Sequence, residues 1–212
     1  MSDDWAHQPA LALGAAIDSG RADPREIIDY FLDRISTEDQ DNTVYVRVTA
    51  DRAKREAAEA ADRAKTGFRR SPLDGVPLSW KELFDVRGEP STACSKLLAE
   101  NIAAKDALTV ERLTRAGAVL LGKTTMTELA FSGLGINPIF GTPANPHDPD
   151  IARAPGGSSS GAGVSVARGL AAAALGTDTG GSVRIPAAWN GLVGLKTSWG
   201  RVPLDGTVPL SP

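Results

Sequence analysis

Ala171-Ala172-Ala173-Ala174-Leu175-Gly176-Thr177-Asp178-Thr179-Gly180-Gly181-Ser182-Val183-Arg184 is the stretch on which the reading of this chain turns. The apolar run Ala171 to Leu175 reads as a buried strand. It ends in glycines, which let the backbone approach a ligand closely and turn its N–H groups toward it. Ser182 then opens a short helix, where unpaired N–H groups and the helix dipole favour a developing negative charge. Strand, glycine turn, serine and helix are the layout of an oxyanion hole behind a nucleophile. They are also the layout of a glycine-rich packing or anion-binding turn. These residues alone leave both readings open.

Outward from this stretch, strands alternate with helices. Upstream, Gly156-Gly157-Ser158-Ser159-Ser160-Gly161 leads into a small-residue helix that runs to about Gly169. Before it, Asn137 to Pro155 is a loop rich in Pro and Asn. Ala118 to Leu121 reads as a buried strand, Ala107 to Arg115 as a helix and Met126 to Phe131 as the start of another. Leu73 to Lys81 is a turn leading into a short strand. Val44 to Val48 is a further strand candidate, and so is Leu192 to Leu195 downstream. The first 70 residues are largely helical. Asp23-Pro24 is a helix start, and Ile27, Ile28, Phe31, Leu32 and Ile35 form one apolar stripe behind it. Ala50 to Lys65 carries Asp51/Arg55 and Glu59/Arg63 four residues apart and reads as a solvated helix face. The pattern predicts an α/β fold, a mixed β-sheet core flanked by helices, in one domain over 1–212: a helical region over 1–70 and a catalytic core over 71–212.

Composition narrows the function. A net charge of −3 gives no electrostatic footprint for nucleic acid or an anionic membrane surface. No apolar run approaches the ~20 residues of a membrane span. The acidic start, Met1-Ser2-Asp3-Asp4-Trp5, lacks a signal-peptide pattern. The single cysteine, Cys94, excludes an internal disulfide framework and a cysteine-only metal site, and it fits a reducing compartment. A cytoplasmic protein with no metal and no cofactor is expected. Only two histidines, His7 and His147, are present, so histidine-based catalysis has little to draw on.

Three formal motif matches fail on context. Gly117-Ala118-Val119-Leu120-Leu121-Gly122-Lys123-Thr124 fits the P-loop pattern, but Ala-Val-Leu-Leu belongs in a sheet and cannot curl around phosphate. Gly157-Ser158-Ser159-Ser160-Gly161 fits the nucleophile elbow, but no histidine follows it. His7 and His147 are 140 positions apart with no neighbouring acid cluster at ligand spacing, and Cys94 reads as a small buried residue. With histidine scarce, lysine is the remaining candidate base, and serine–lysine machines exist as a class. A lysine serves only when neutral, so burial or nearby positive charge must lower its pKa. Lys81 follows the mostly apolar Val76-Pro77-Leu78-Ser79-Trp80, a suitable place for such a group.

Gly156-Gly157-Ser158-Ser159, Gly176 to Ala187 and Gly191-Leu192-Val193-Gly194-Leu195-Lys196 together resemble the signature of the amidase signature family. Asp74-Gly75-Val76-Pro77 and Gly122-Lys123-Thr124 fit it as well. The resemblance is dense from Leu73 to Arg201. It implies that Ser182 is the nucleophile and that Ser158, 24 positions earlier on a cis peptide bond, is the proton relay. It implies that Lys81 is the base and that the N–H groups of Thr179, Gly180, Gly181 and Ser182 hold the oxyanion. Ser159, Asp178 and Arg184 stand as supports. Ser160 stands where the family commonly has Gly.

Members of the family are considerably longer, and this chain ends at Leu210-Ser211-Pro212, just after the signature. The C-terminal part of the fold, with much of the acyl pocket, is therefore expected to be missing, leaving an open sheet edge and exposed apolar surface. The implied function is hydrolysis of the C–N bond of a non-peptide, small-molecule amide through a Ser182 acyl-enzyme. Alternatives are the glutaminase-type subunit of a tRNA-dependent amidotransferase, in which Ile185 would usually be Gln, and an inactive truncated remnant. The partners left open are a second copy of the chain and a complementing C-terminal chain. Trp80, Trp189 and Phe131 are read as core before pocket wall.

Overall fold

A computed structural model describes residues 4–148 and 150–210. The chain opens with two helices, α1 (Ala10–Asp18) and α2 (Pro24–Glu38). The Asp23 side chain caps α2 by accepting from the Arg25 N–H, and Pro24 occupies the first helical position. Then come β1 (Tyr45–Val48), α3 (Ala50–Thr66) and β2 (Pro77–Lys81). After a long excursion follow α4 (Leu108–Arg115) and β3 (Val119–Thr124). The last elements are α5 (Ser160–Ala167), β4 (Ala173–Leu175) and α6 (Arg184–Trp189).

The four strands form one mixed sheet in the order β1-β3-β2-β4. β1 runs antiparallel to β3, while β2 runs parallel to both β3 and β4. β2 and β3 are central and buried along their whole length, as parallel strands covered by helices must be. One apolar core joins the N-terminal helices to the sheet. Ile27, Ile28, Phe31 and Ile35 of α2 are buried in it with Val76, Val119, Leu121 and Val164. Each such side chain contributes about 1.5–3 kcal/mol by leaving water. The buried face of α3 is alanine (Ala53, Ala57, Ala60, Ala61), which lets its backbone lie close to its neighbours. A second cluster, built on Trp80, Phe84, Val110, Leu120 and Met126, contains the buried Cys94.

The mixed α/β architecture follows the sequence reading, and four local expectations are corrected. Leu192–Leu195 is irregular rather than a strand, and Val193 is fully exposed. A short apolar run does not become a strand without a neighbour to pair with. Met126–Phe131 is a single 3₁₀ turn at Glu128–Ala130 in which Leu129 is left-handed, not a helix. Trp189 and Phe131 are surface residues at 44% and 84% exposure, whereas Trp80 is core. Finally, Arg63 does not merely face solvent. Its guanidinium grips the buried Asp74 with two bonds of 2.7 and 2.9 Å, tying α3 to the turn before β2.

The false P-loop has a physical account here. Gly117 is left-handed (φ +94°), and a side chain there would collide with Asp74. The residues after it form β3, and Lys123 is wholly buried beside Glu82 rather than free to meet phosphate.

Candidate active site

The site gathers where three segments end: the C-terminal end of β2, the turn before α5 and the loop between β4 and α6. Lys81 is the last residue of β2 and is wholly buried. Its Nζ donates to Ser158 Oγ at 2.7 Å, to Thr177 Oγ1 at 3.0 Å and, at the limit of bonding distance, to the Thr177 carbonyl at 3.5 Å. It makes no ion pair among the described residues. Burial lowers its pKa from 10.5 to about 7, outweighing the weaker opposing influence of Cys94 and Asp178. At neutral pH a large share of this amine therefore carries a lone pair.

Ser158 is equally buried and follows a cis peptide bond with Gly157. Its carbonyl accepts from the Thr127 N–H at 3.1 Å. Next to it, the Ser159 N–H donates to the Ser182 carbonyl at 3.2 Å, which brings the two serine-bearing segments side by side. Ser159 Oγ approaches the Thr177 carbonyl at 3.4 Å. Ser160 begins α5, and its hydroxyl donates to the Thr125 carbonyl.

The loop after β4 is organised by Asp178. One carboxylate oxygen accepts from the Gly181 N–H at 2.8 Å, and the other from the Val183 and Arg184 N–H groups at 3.1 and 3.2 Å. The Arg184 guanidinium closes on the same carboxylate with bonds of 2.9 and 3.0 Å. These donors, the guanidinium first, hold the Asp178 carboxyl well below the usual carboxylate range. The Gly181 N–H is turned onto Asp178, whereas among the described residues the N–H groups of Thr179, Gly180 and Ser182 have no internal acceptor. Gly181 sits at φ +129°, a conformation that a side chain would strain. Ser182 lies two residues ahead of α6, not at its first position, so the Asp178-held turn rather than the helix sets its place.

Thr177 is missing from the sequence-predicted set, although it contacts the lysine amine directly. The available signal is its position between the β4 strand and Asp178. Strand alternation alone does not say which way its hydroxyl points. Among the described residues there is no cluster of three or more His, Cys, Asp or Glu able to hold a metal ion, and no helix long and apolar enough to cross a membrane.

A sequence model of the Amidase family matches residues 26–212. The chain belongs to the amidase family. Among curated relatives, it is 46% identical over 196 residues to a glutamyl-tRNA(Gln) amidotransferase subunit from Anaeromyxobacter dehalogenans (strain 2CP-C), covering 92% of this chain and 39% of the relative. Among solved structures, it resembles the native peptide amidase of Stenotrophomonas maltophilia with a TM-score of 0.89 at 36% identity, covering 97% of this chain and 43% of that one. It also resembles a fatty acid amide hydrolase, with a TM-score of 0.86 at 27% identity over 96% and 36% of the two chains. The chain thus spans about two-fifths of the length of the curated relatives it matches.

Proposed function

We propose that this amidase-family chain carries the machinery of a serine amide hydrolase acting on a non-peptide, small-molecule amide. The observation that carries the reading is the 2.7 Å contact between Ser158 and a wholly buried Lys81 that has no ion pair among the described residues. A lysine kept out of water, with only weak opposing charges near it, has a lowered pKa and can act as a base near neutrality. Neutral Lys81 takes the Ser158 proton as Ser158 takes that of Ser182. The Ser182 oxygen bonds to the substrate carbonyl carbon, and the negative charge moves to the carbonyl oxygen. N–H groups of Thr179, Gly180 and Ser182 face that charge, while Gly181 contributes by shaping the turn under Asp178. The C–N bond then breaks with a proton passed through Ser158 to the leaving nitrogen, and water releases the acyl group from Ser182. Portions of the fold that the longer relatives possess would complete the acyl pocket, on the same chain or on a complementing one.

The test is covalent labelling with a fluorophosphonate. The expected adduct is on Ser182 and disappears in Lys81→Ala. Absence of any labelled serine in the full chain would favour a non-catalytic remnant.

A second reading, the glutaminase-type subunit of a tRNA-dependent amidotransferase, is favoured by the names of the relatives, the 46%-identical one first. Ile185 weighs against it. Its side-chain terminus packs against Gly133 and Gly181, an apolar wedge beside the nucleophile turn where a glutaminase would usually carry Gln. Glutamine-dependent ammonia release that requires a tRNA partner would select this second reading.

A further inference from the structure

Directly after Lys81, where β2 ends, comes a second buried charge. Glu82 is 2% exposed and lies 3.5 Å from the Nζ of Lys123, itself wholly buried on the neighbouring strand β3. Burying both ions is costly unless every bond they can make is made. Here the bonds go to one loop. The Glu82 carboxylate accepts from the Thr92 N–H at 3.0 and 3.1 Å and from the Cys94 N–H at 3.3 Å. Lys123 donates to the Pro90 carbonyl and to Ser91 Oγ. The loop so held contains two consecutive non-glycine residues in the left-handed region, Ala93 (φ +47°) and Cys94 (φ +48°). Residues of this kind persist only where their surroundings over-determine them.

The loop in turn holds the turn beside the active site. The Ala93 carbonyl accepts from the Leu129 N–H at 3.0 Å, and Leu129 and Ala130 are themselves left-handed. Asn137 ties the two segments together, its amide donating to the carbonyls of Cys94 at 3.0 Å and Met126 at 2.9 Å. The Thr127 N–H at the start of that turn donates to the Ser158 carbonyl. A continuous set of bonds therefore runs from Glu82, through two loops of left-handed residues, to the serine that faces Lys81.

We propose that Glu82, clamped by Lys123, is a positioning residue: it fixes the Thr92–Cys94 loop against the Thr127–Ala130 turn and so keeps Ser158 within reach of Lys81. This assignment rests on the catalytic reading above. A buried ion pair that serves stability alone would show different behaviour when both charges are removed together.

The experiment compares Glu82→Gln with the double variant Glu82→Gln/Lys123→Met in the full chain, following turnover of a small chromogenic anilide, unfolding temperature and the reaction of Cys94 with a thiol reagent. Glu82→Gln strands the Lys123 charge and lowers the unfolding temperature. The double variant leaves no buried charge unpaired and recovers it. The positioning role predicts that kcat falls in both variants by about ten- to a hundredfold with KM little changed, the size of loss expected when a reacting group is misplaced by ~1 Å. Cys94, protected in the parent, becomes reactive in both. Recovery of kcat together with the unfolding temperature in the double variant overturns the proposal, as does a Cys94 that stays protected. If the parent shows no adduct on Ser182, the catalytic reading fails. The Cys94 reaction then still reports whether Glu82 holds the loop.

Discussion

Two lysines lie wholly buried on adjacent strands, Lys81 at the end of β2 and Lys123 in β3, and they are solvated by the protein in opposite ways. Lys123 has a carboxylate, Glu82, and two oxygen acceptors from the loop after it. Lys81 has two hydroxyls and a distant carbonyl, and no ion pair among the described residues. Burial alone does not distinguish the two amines. Burial lowers the pKa of both amines, and the counter-charge is what differs: Glu82 opposes that shift at Lys123, while Lys81 has no such partner among the described residues.

The sharpest way to break this contrast is to remove each amine. Lys81→Met is expected to lower turnover by about 10³-fold or more, the scale on which loss of a triad member acts, while thermal stability is held or raised because a desolvated amine is replaced by an apolar chain. Lys123→Met is expected to act mainly on stability, with a turnover loss no larger than the roughly ten- to hundredfold of a displaced loop. It strands the Glu82 carboxylate and costs about 3 kcal/mol of stability in denaturant unfolding, the scale of a broken buried pair. Variants that behave alike would erase the distinction.

A smaller effect is expected at Asp178, which organises the loop that carries Ser182 as Glu82 binds the loop behind Lys81. Asp178→Asn weakens the clamp on Gly181, Val183 and Arg184, and kcat should fall by about ten- to a hundredfold, as misplacement of a reacting group would. The carboxyl is held below its ordinary value in the folded protein, so its contribution to stability is present above the unfolded pKa of about 3.9 and is lost as pH falls below it. Acid unfolding of the variant should therefore be less steep over that range. The smallest change is Thr177→Val. It removes one acceptor from the Lys81 amine, worth about 1 kcal/mol, and should reduce kcat by about fivefold without moving KM.

Much of this is legible in the sequence, for reasons that differ by region. The apolar stripe of α2 has a helical period, while the runs at Val119–Leu121 and Ala173–Leu175 have none and read as strands from their shortness and flanking glycines, the second being half-buried rather than buried as expected. Lys81 stands out because a strand of apolar residues that ends in lysine carries its amine out of water. The residues of the Leu129 turn favour helix, and left-handed conformations forced by long-range bonds to Ala93 leave no local mark. Leu192–Leu195 has the composition of a strand, but strand formation depends on a partner edge, which composition does not encode. The role of Thr177 and the turning of the Gly181 N–H onto Asp178 are likewise matters of side-chain direction. In the same way, Lys123 and Glu82 are visible as letters but not as a pair, since they lie 41 positions apart and meet only when β2 and β3 align.

The central claim is that Lys81 works as a neutral base for a serine relay, and the pH dependence of Ser182 modification by a fluorophosphonate tests it most directly. Because burial lowers the Lys81 pKa to about 7, the amine is protonated and idle below that value and free above it. The labelling rate should rise through an acid limb centred near pH 7 and level off above it, and the limb should vanish with the activity in Lys81→Met. A rate at pH 5 equal to that at pH 8, or an unchanged profile in Lys81→Met, would contradict the claim.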